Sequence, residues 1–454
     1  MRGTLAQLIA AIPGATLHGG DTAFAGVSTD SRKVDAGALF VALRGETFDA
    51  HDFLDQVAAR GVAAVVVSRV PSGWTLPAIV VPDTLAALGR IAHAWRAGFD
   101  IPLIGVTGSN GKTTVKEMIA SILAAAVGED ARLATQGNLN NEIGVPLTLF
   151  RLAATHRAAV VELGMNHPGE IARLAAIATP TVGLVNNAQR EHQEFMHTVE
   201  AVARENGSVF EALPLDGVAV FPGDDIYTDL WRGMAACDVV TFGLGEGCDV
   251  RADYTANDFG SDLQVTARGA RFGIKLAAAG EHNVRNALAA VACALGAGID
   301  QDAIVRGLEA FAPVGGRLQR KQAANGAIVI DDTYNANPDS MRAAIDVLAA
   351  YPAPRILVVG DMGEVGAQGK EFHEEIGAYA RQRGIETVLA TGELARHLVS
   401  CGARHYEQFD ELLAALDEKL GGNTETTVLV KGSRFMKMER VVSHLTGSIN
   451  KDVH

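Results

Sequence analysis

The chain has 454 residues, 48% of them hydrophobic, enough to bury several cores and to form about three domains of ordinary size. A formal net charge of -14 and the lack of a long basic run exclude an electrostatic nucleic-acid footprint and point to small-molecule partners. Four widely spaced cysteines (Cys237, Cys248, Cys293, Cys401) make neither a CxxC pair nor a disulfide framework, and no apolar run approaches the ~20 residues of a membrane span. We expect a cytoplasmic protein with free thiols and no stable membrane insertion.

From the start of the chain, "LAQLIAAI" is interrupted by Gln7 and stopped by Pro13-Gly14, as a short helix ends, and is not a leader. "GALFVALRG", "GVAAVVVS" and "AIVVPD" follow as short apolar strands between helical stretches, giving an N-terminal α/β domain over 1–98. Next, "IPLIGVT" reads as a buried strand. "KTTVKEMIASILAAA" has Val115, Met118, Ile119, Ile122 and Leu123 at helical spacing.

Between them lies "GSNGK". Gly108 and Gly111 let the backbone take positive φ, so that the N–H groups of Ser109, Asn110 and the helix start at Thr113 and Thr114 can cradle an anion. Lys112 adds a point charge, and the Thr113 hydroxyl can reach a magnesium ion. The strict phosphate-loop pattern needs glycine at position 106, where Val106 stands, so this is a variant loop. It implies a nucleotide, most simply ATP with Mg2+.

"AAVVELG" and "TPTVGLVNN" then alternate with helical spacing, which predicts a central parallel sheet wrapped by helices over 99–314. "FAPVGGRLQR" marks a hinge. After it, "GAIVIDDTY", "RILVVGDMG", "IETVLATG" and "TVLVKGS" recur between helices, predicting a doubly wound, Rossmann-like third domain over 315–454. The fold class is α/β throughout.

Several polar residues fall where strands run out. Glu162 ends "AAVVE" and can share magnesium with Thr113, because ligands of open parallel sheets collect at the carboxyl ends of strands. His192 follows the next strand at the same edge and reads either as a metal ligand or as a structural histidine. Asn283 and Asn286 share one helix face, suited to a cap or to a purine edge. Arg317, at the hinge, reads as a phosphate contact across a closing cleft or as a solvated surface group. Asp332 and Lys431 end strands beside turn formers, so a cap and a turn suffice for them.

In order, "TGSNGKTT", "GNLNNEIGVP", "VELGMNHPGEI", "GEHNVRNALAA", "GGRLQ" and "DDTYNANPDSM" resemble the Mur ligase family, ATP-dependent amide-forming enzymes of peptidoglycan precursor synthesis. The resemblance spans the chain, from "STDSRKVDAGALFVALRGETFDAHDF" to "VLVKGSR". "IDDTYNANPDSM" and "GDMGEVG" are most like the member that joins D-alanyl-D-alanine to UDP-N-acetylmuramoyl-tripeptide. The resemblance implies Lys112 on ATP phosphates, Thr113 and Glu162 on magnesium, His192 on a second magnesium, Asn286 near adenine, Arg317 on phosphate and Asp332 near the ribose. It also implies Ser31 and Arg32 at the uridine diphosphate end of the substrate, Asn140 and Asn141 further along it, and Asn335 and Lys431 toward the amine, in a monomer.

The alternative within the family is the preceding-step ligase, which adds the third amino acid. The Asp-Asn-Pro-Arg run of its diaminopimelate-specific form does not occur here. One departure stands out. Where many members carry a carbamylated lysine in a Lys-Gly pair, this chain has Asn206-Gly207, and asparagine forms no carbamate. Either Glu205 supplies the negative charge, or a second metal is held by fewer anionic ligands.

Overall fold

The computed structural model describes residues 1–191 and 193–448, with the side chain of Gln193 set aside. Three main sheets follow in chain order. The first is five-stranded, in the order Thr16–His18, Ala78–Val80, Ala64–Val67, Leu39–Val41, Val27–Ser28, with only its first pair antiparallel. A helix at Thr84–Arg96 closes this unit; the Asp83 carboxylate accepts the N–H groups of Leu85 and Ala86 at its start.

The middle sheet has nine strands, in the order Ala270–Leu276, Gly260–Ala267, Val250–Asn257, Asp238–Gly243, Val218–Pro222, Val182–Val185, Leu103–Thr107, Ala158–Glu162, Arg132–Ala134. From Leu103–Thr107 the chain builds one side, then crosses to the other at Val182–Val185. That reversal leaves a crevice at the carboxyl end of Leu103–Thr107. The sequence reading gives a parallel middle sheet, to which the last three strands add antiparallel hairpins. Their signal is alternation: Leu263, Val265 and Ala267 are buried, while Asp262 and Gln264 on either side of Leu263 are exposed.

The third sheet runs Gln319–Gln322, Ile328–Asp332, Thr427–Lys431, Arg355–Val359, Thr387–Thr391, Arg404–Tyr406, parallel apart from its first pair. Neighbouring residues along its strands feed opposite cores. Ile330, Leu357 and Leu429 pack on one face, and Val329, Val358 and Val428 on the other. Strands buried on both faces read as continuous apolar runs for this reason.

The two joints between units differ in chemistry. One core cluster runs from Leu39, Ile79, Leu88 and Ile91 of the first unit into Leu103, Leu149 and Leu174 of the second. The third unit's two cores draw from the middle unit only Phe259 and Ala279, at their margin, among the described residues. Its junction with the middle unit is mostly polar. Among the described residues no helix is long and apolar enough to cross a membrane.

Candidate active site

The wholly buried strand Leu103–Thr107 turns through Gly108 (φ +131°) and Gly111 (φ +80°) into the helix Lys112–Val127, which buries Val115, Met118, Ile119, Ile122 and Leu123. Each such apolar side chain contributes about 1.5–3 kcal/mol on burial, which anchors the loop from behind. Neither glycine tolerates a side chain. A Cβ at Gly108 would stand 2.9 Å from Asn186 Cβ, and one at Gly111 would stand 2.6 Å from Asn286 Oδ1.

Amides hold the loop from below. Gly108 N–H donates to Asn206 Oδ1 (3.0 Å), Ser109 N–H to the Asn187 carbonyl (3.2 Å) and Asn110 N–H to Asn187 Oδ1 (2.9 Å). Asn186 Nδ2 donates to Asn110 O and to Asn286 Oδ1, and Asn286 Nδ2 donates to Asn283 Oδ1. Asn283 in turn donates to Ala279 O. The predicted pair Asn283 and Asn286 therefore buttresses Gly111 while lining the cavity above it. No side chain caps the helix at Gly111, and Ser109 to Thr114 line the same cavity, an arrangement in which the first-turn N–H groups and the positive end of the helix dipole suit an anion. The Ser109 and Asn110 N–H groups expected to cradle it donate to Asn187 instead.

Lys112 Nζ donates to Glu191 Oε1 (2.9 Å) and to the carbonyls of Gly108 and Ser109. Thr113 Oγ1 accepts from Arg317 Nη2 (2.8 Å), and the Arg317 guanidinium lies 4.1 Å from the Tyr334 ring centroid. The hinge arginine thus reaches the loop from the third unit.

Glu162 ends the neighbouring strand, in register with Val106. Its Oε1 accepts from Asn140 Nδ2 (2.8 Å), while Oε2 is buried and has no hydrogen-bond partner. A buried, unpaired carboxylate oxygen is costly. A hard cation resolves it, and a carboxylate with a hydroxyl is the donor set magnesium takes alongside phosphate oxygens. Glu162 and Thr113 fit such an ion. No group of three His, Cys, Asp or Glu converges among the described residues. His192 lies outside the described residues.

Glu205 does not take the part expected of it. Its carboxylate accepts Gly169 N–H (2.8 Å) and Ile171 N–H (2.9 Å), so it is committed to the N-terminus of the helix Glu170–Ala178. Asn206 is committed through Oδ1, beneath Gly108, while its buried Nδ2 has no hydrogen-bond partner.

On the third-unit side of the cavity, Lys431 Nζ donates to Asp332 Oδ2 (2.6 Å) and to the Asn335 carbonyl (2.8 Å), and Asp332 Oδ1 accepts Leu318 N–H. Asn140, Asn141, Asp332, Asn335 and Lys431 all line the cavity, whose volume is about 950 Å³. Asn141 also holds the N–H groups of Ile143 and Gly144. Ser31 and Arg32 lie apart from it. Arg32 pairs with Asp30 on an exposed loop and holds that carboxylate down to about 2.

Sequence reasoning missed the residues that grip the loop, Asn186, Asn187, Gln189 and Glu191, and with them Arg190, which bonds Asp339 and Glu375 of the third unit instead. The signal was the polar run "NNAQRE" directly after a buried strand, from which only His192 was singled out.

Three family descriptions match the chain in order: Mur ligase family, catalytic domain, over 23–96; Mur ligase middle domain over 106–294; and Mur ligase, glutamate ligase domain, over 316–434. The chain belongs to the Mur ligase family. It is 40% identical to the Escherichia coli UDP-N-acetylmuramoyl-tripeptide–D-alanyl-D-alanine ligase, over 97% of this chain and 98% of the relative. Among solved structures, MurF from Acinetobacter baumannii superposes with a TM-score of 0.93 at 35% identity, covering 99% of both chains. MurF ligase from Thermotoga maritima in complex with ADP gives a TM-score of 0.84 at 27% identity, covering 93% of this chain and 97% of that one. The amide-forming ligase class and ATP use expected from the phosphate loop are those of the family.

Proposed function

We propose that this Mur ligase joins D-alanyl-D-alanine to UDP-N-acetylmuramoyl-tripeptide with ATP, in the cytoplasm and as a monomer, giving the pentapeptide precursor of peptidoglycan. The observation that carries the reading is a single cavity shared by the phosphate loop, Glu162 and the third unit's Asp332, Asn335 and Lys431. Residues 1–98 hold the UDP end of the nucleotide sugar at Ser31 and Arg32, residues 99–314 hold ATP, and residues 315–454 bring the dipeptide. Asn140 and Asn141 steady the peptide arm.

A carboxylate is a poor electrophile because oxide is a poor leaving group. In this reading an oxygen of the tripeptide carboxylate attacks the γ-phosphorus of ATP, the bond to ADP breaks, and an acyl phosphate forms. Lys112 and the first-turn N–H groups disperse charge on the transferring phosphoryl group, and Arg317 approaches it from the hinge. Magnesium, held by Thr113 and Glu162, neutralises phosphate oxygens when bound. The dipeptide amine then attacks the acyl carbon, loses its proton, and phosphate leaves as the amide forms. Asn283, Asn286 and Asp332 border the nucleotide, and Lys431 and Asn335 the amine side. Because acyl phosphates hydrolyse, closure of the third unit over the cavity must exclude water.

The test is phosphate release with each substrate omitted in turn, alongside Lys112→Ala, with the product weighed by mass spectrometry. Release that needs both substrates, yields the pentapeptide mass and is lost in the variant supports the reading. Release indifferent to the dipeptide overturns it.

A further inference from the structure

Residues 187–191 form a strap with two faces. Asn187 receives the loop's Ser109 and Asn110 N–H groups, Gln189 N–H donates to Ser109 Oγ and its Oε1 accepts from Asn110 Nδ2 (2.6 Å), and Glu191 takes Lys112. Between them Arg190 reaches the other way, into the third unit. Its backbone N–H and Nε donate to Asp339, its Nη2 donates to Asp339 Oδ1 (2.6 Å), and its Nη1 donates to Glu375 Oε2 (2.7 Å). The guanidinium also stands 5.3 Å from the Phe372 ring centroid, and Arg342 braces Glu375 from behind (3.1 Å).

We propose that Arg190 is a positioning residue: it fastens the helices Pro338–Ala349 and Gly369–Gln382 to the strap that grips the phosphate loop, and so sets where the third unit's amine-side residues stand over the activated carboxylate. The inference rests on the ligase reading above. Three features carry it. The junction has little apolar core, so polar contacts decide its geometry. The Arg190 pairs are about three-quarters shielded on the arginine and on Asp339, and charge-assisted forked bonds of that kind fix orientation as well as distance. The strap is hydrogen-bonded to the loop along its length, and one further bond, Asn337 Nδ2 to Asn110 Oδ1 (2.8 Å), ties the start of the Pro338–Ala349 helix to the same loop.

The experiment compares wild type, Arg190→Lys, Arg190→Ala and Asp339→Asn as full chains. Expected for Arg190→Ala is a KM for D-alanyl-D-alanine raised about tenfold, with ATP affinity by calorimetry within about threefold, and phosphate released in excess of pentapeptide. Arg190→Lys, which keeps the charge and loses the fork, falls between. Small-angle scattering of the ligand-free protein gives a readout independent of turnover, and Arg190→Ala and Asp339→Asn are expected to enlarge the radius of gyration. Should Arg190→Ala fail to fold, Asp339→Asn carries the same expectations. Unchanged dipeptide KM and unchanged scattering in a folded variant overturn the proposal, as does an equal loss of affinity for every substrate. Wild type without dipeptide-dependent turnover overturns the ligase reading instead, and scattering then still decides whether Arg190 holds the joint.

Discussion

Gly111→Ala tests whether the amide floor, and not the loop sequence alone, shapes the phosphate site. At φ +80° an alanine pays about 1–2 kcal/mol of left-handed strain. Its Cβ would also lie 2.6 Å from Asn286 Oδ1 and 2.8 Å from Asn186 Nδ2, closer than real Cβ atoms come. Relief requires Asn286 to turn away, breaking its 2.9 Å bond with Asn186 and its 3.1 Å bond with Asn283. A buried polar group left unpaired costs about 1–3 kcal/mol. The sum, about 2–5 kcal/mol, falls on the loop and corresponds to a loss of ATP affinity of about thirtyfold or more. Calorimetric titration with ATP and magnesium measures it. Gly298→Ala is the control, because Gly298 has φ +77° with nothing within 4 Å of a Cβ, and should leave ATP affinity within about threefold. Gly111→Ala that folds and binds ATP within about threefold of wild type would refute the argument.

Glu162→Gln removes the charge behind the unpaired oxygen, so half-saturating magnesium should rise about tenfold and turnover fall about a hundredfold in a magnesium titration of phosphate release. Lys431→Met leaves the buried Asp332 carboxylate without its cation and should destabilise the protein by about 3–5 kcal/mol. Lys431→Met with Asp332→Leu should be less destabilised than Lys431→Met alone in denaturant titrations. His373 is wholly buried; its Nε2 accepts Met362 N–H and its Nδ1 faces Gly369 O, and burial lowers its pKa from 6.5. The unfolded ring therefore binds a proton at higher pH than the folded one. The stability it lends is present above about pH 6.5 and is lost as pH falls from there toward the folded value, by at most about 1.4 kcal/mol per pH unit. His156 and His282 shift the same way, so His373→Gln should flatten, and not abolish, the fall in urea midpoint from about pH 7 to about pH 5.

Much of the site was legible because its signals are local. Glycine-lysine-threonine between an apolar strand and an amphipathic helix is a self-contained message, and Glu162 stands at the end of a strand whose composition declares it. The Pro- and Gly-containing connection at Pro313 to Gly316 and the strand ends at Asp332 and Lys431 were visible in the same way. Arg190, Gln189 and Glu191 were not, since their partners lie far along the chain and are set by strand order. Glu205 misled for a related reason: a carboxylate beside Asn206 in sequence points, on a helix, to a different neighbour, here the start of Glu170–Ala178. The hairpins of 250–276 were legible by alternation and were lost in a reading tuned to apolar runs.

Those hairpins leave the middle sheet with Ala270–Leu276 as an open edge, and the edge is guarded. Phe272, Ile274 and Leu276 point inward, while Arg271 and Lys275 stand on the exposed face. The Lys275 N–H is already taken by Glu309 at the end of the helix Gln301–Glu309. Two chains meeting edge to edge would bring like cations together and find part of the backbone ladder occupied. A sheet nine strands wide can therefore end in water without becoming a template for fibre growth, and replacing Arg271 and Lys275 by valine would remove that protection.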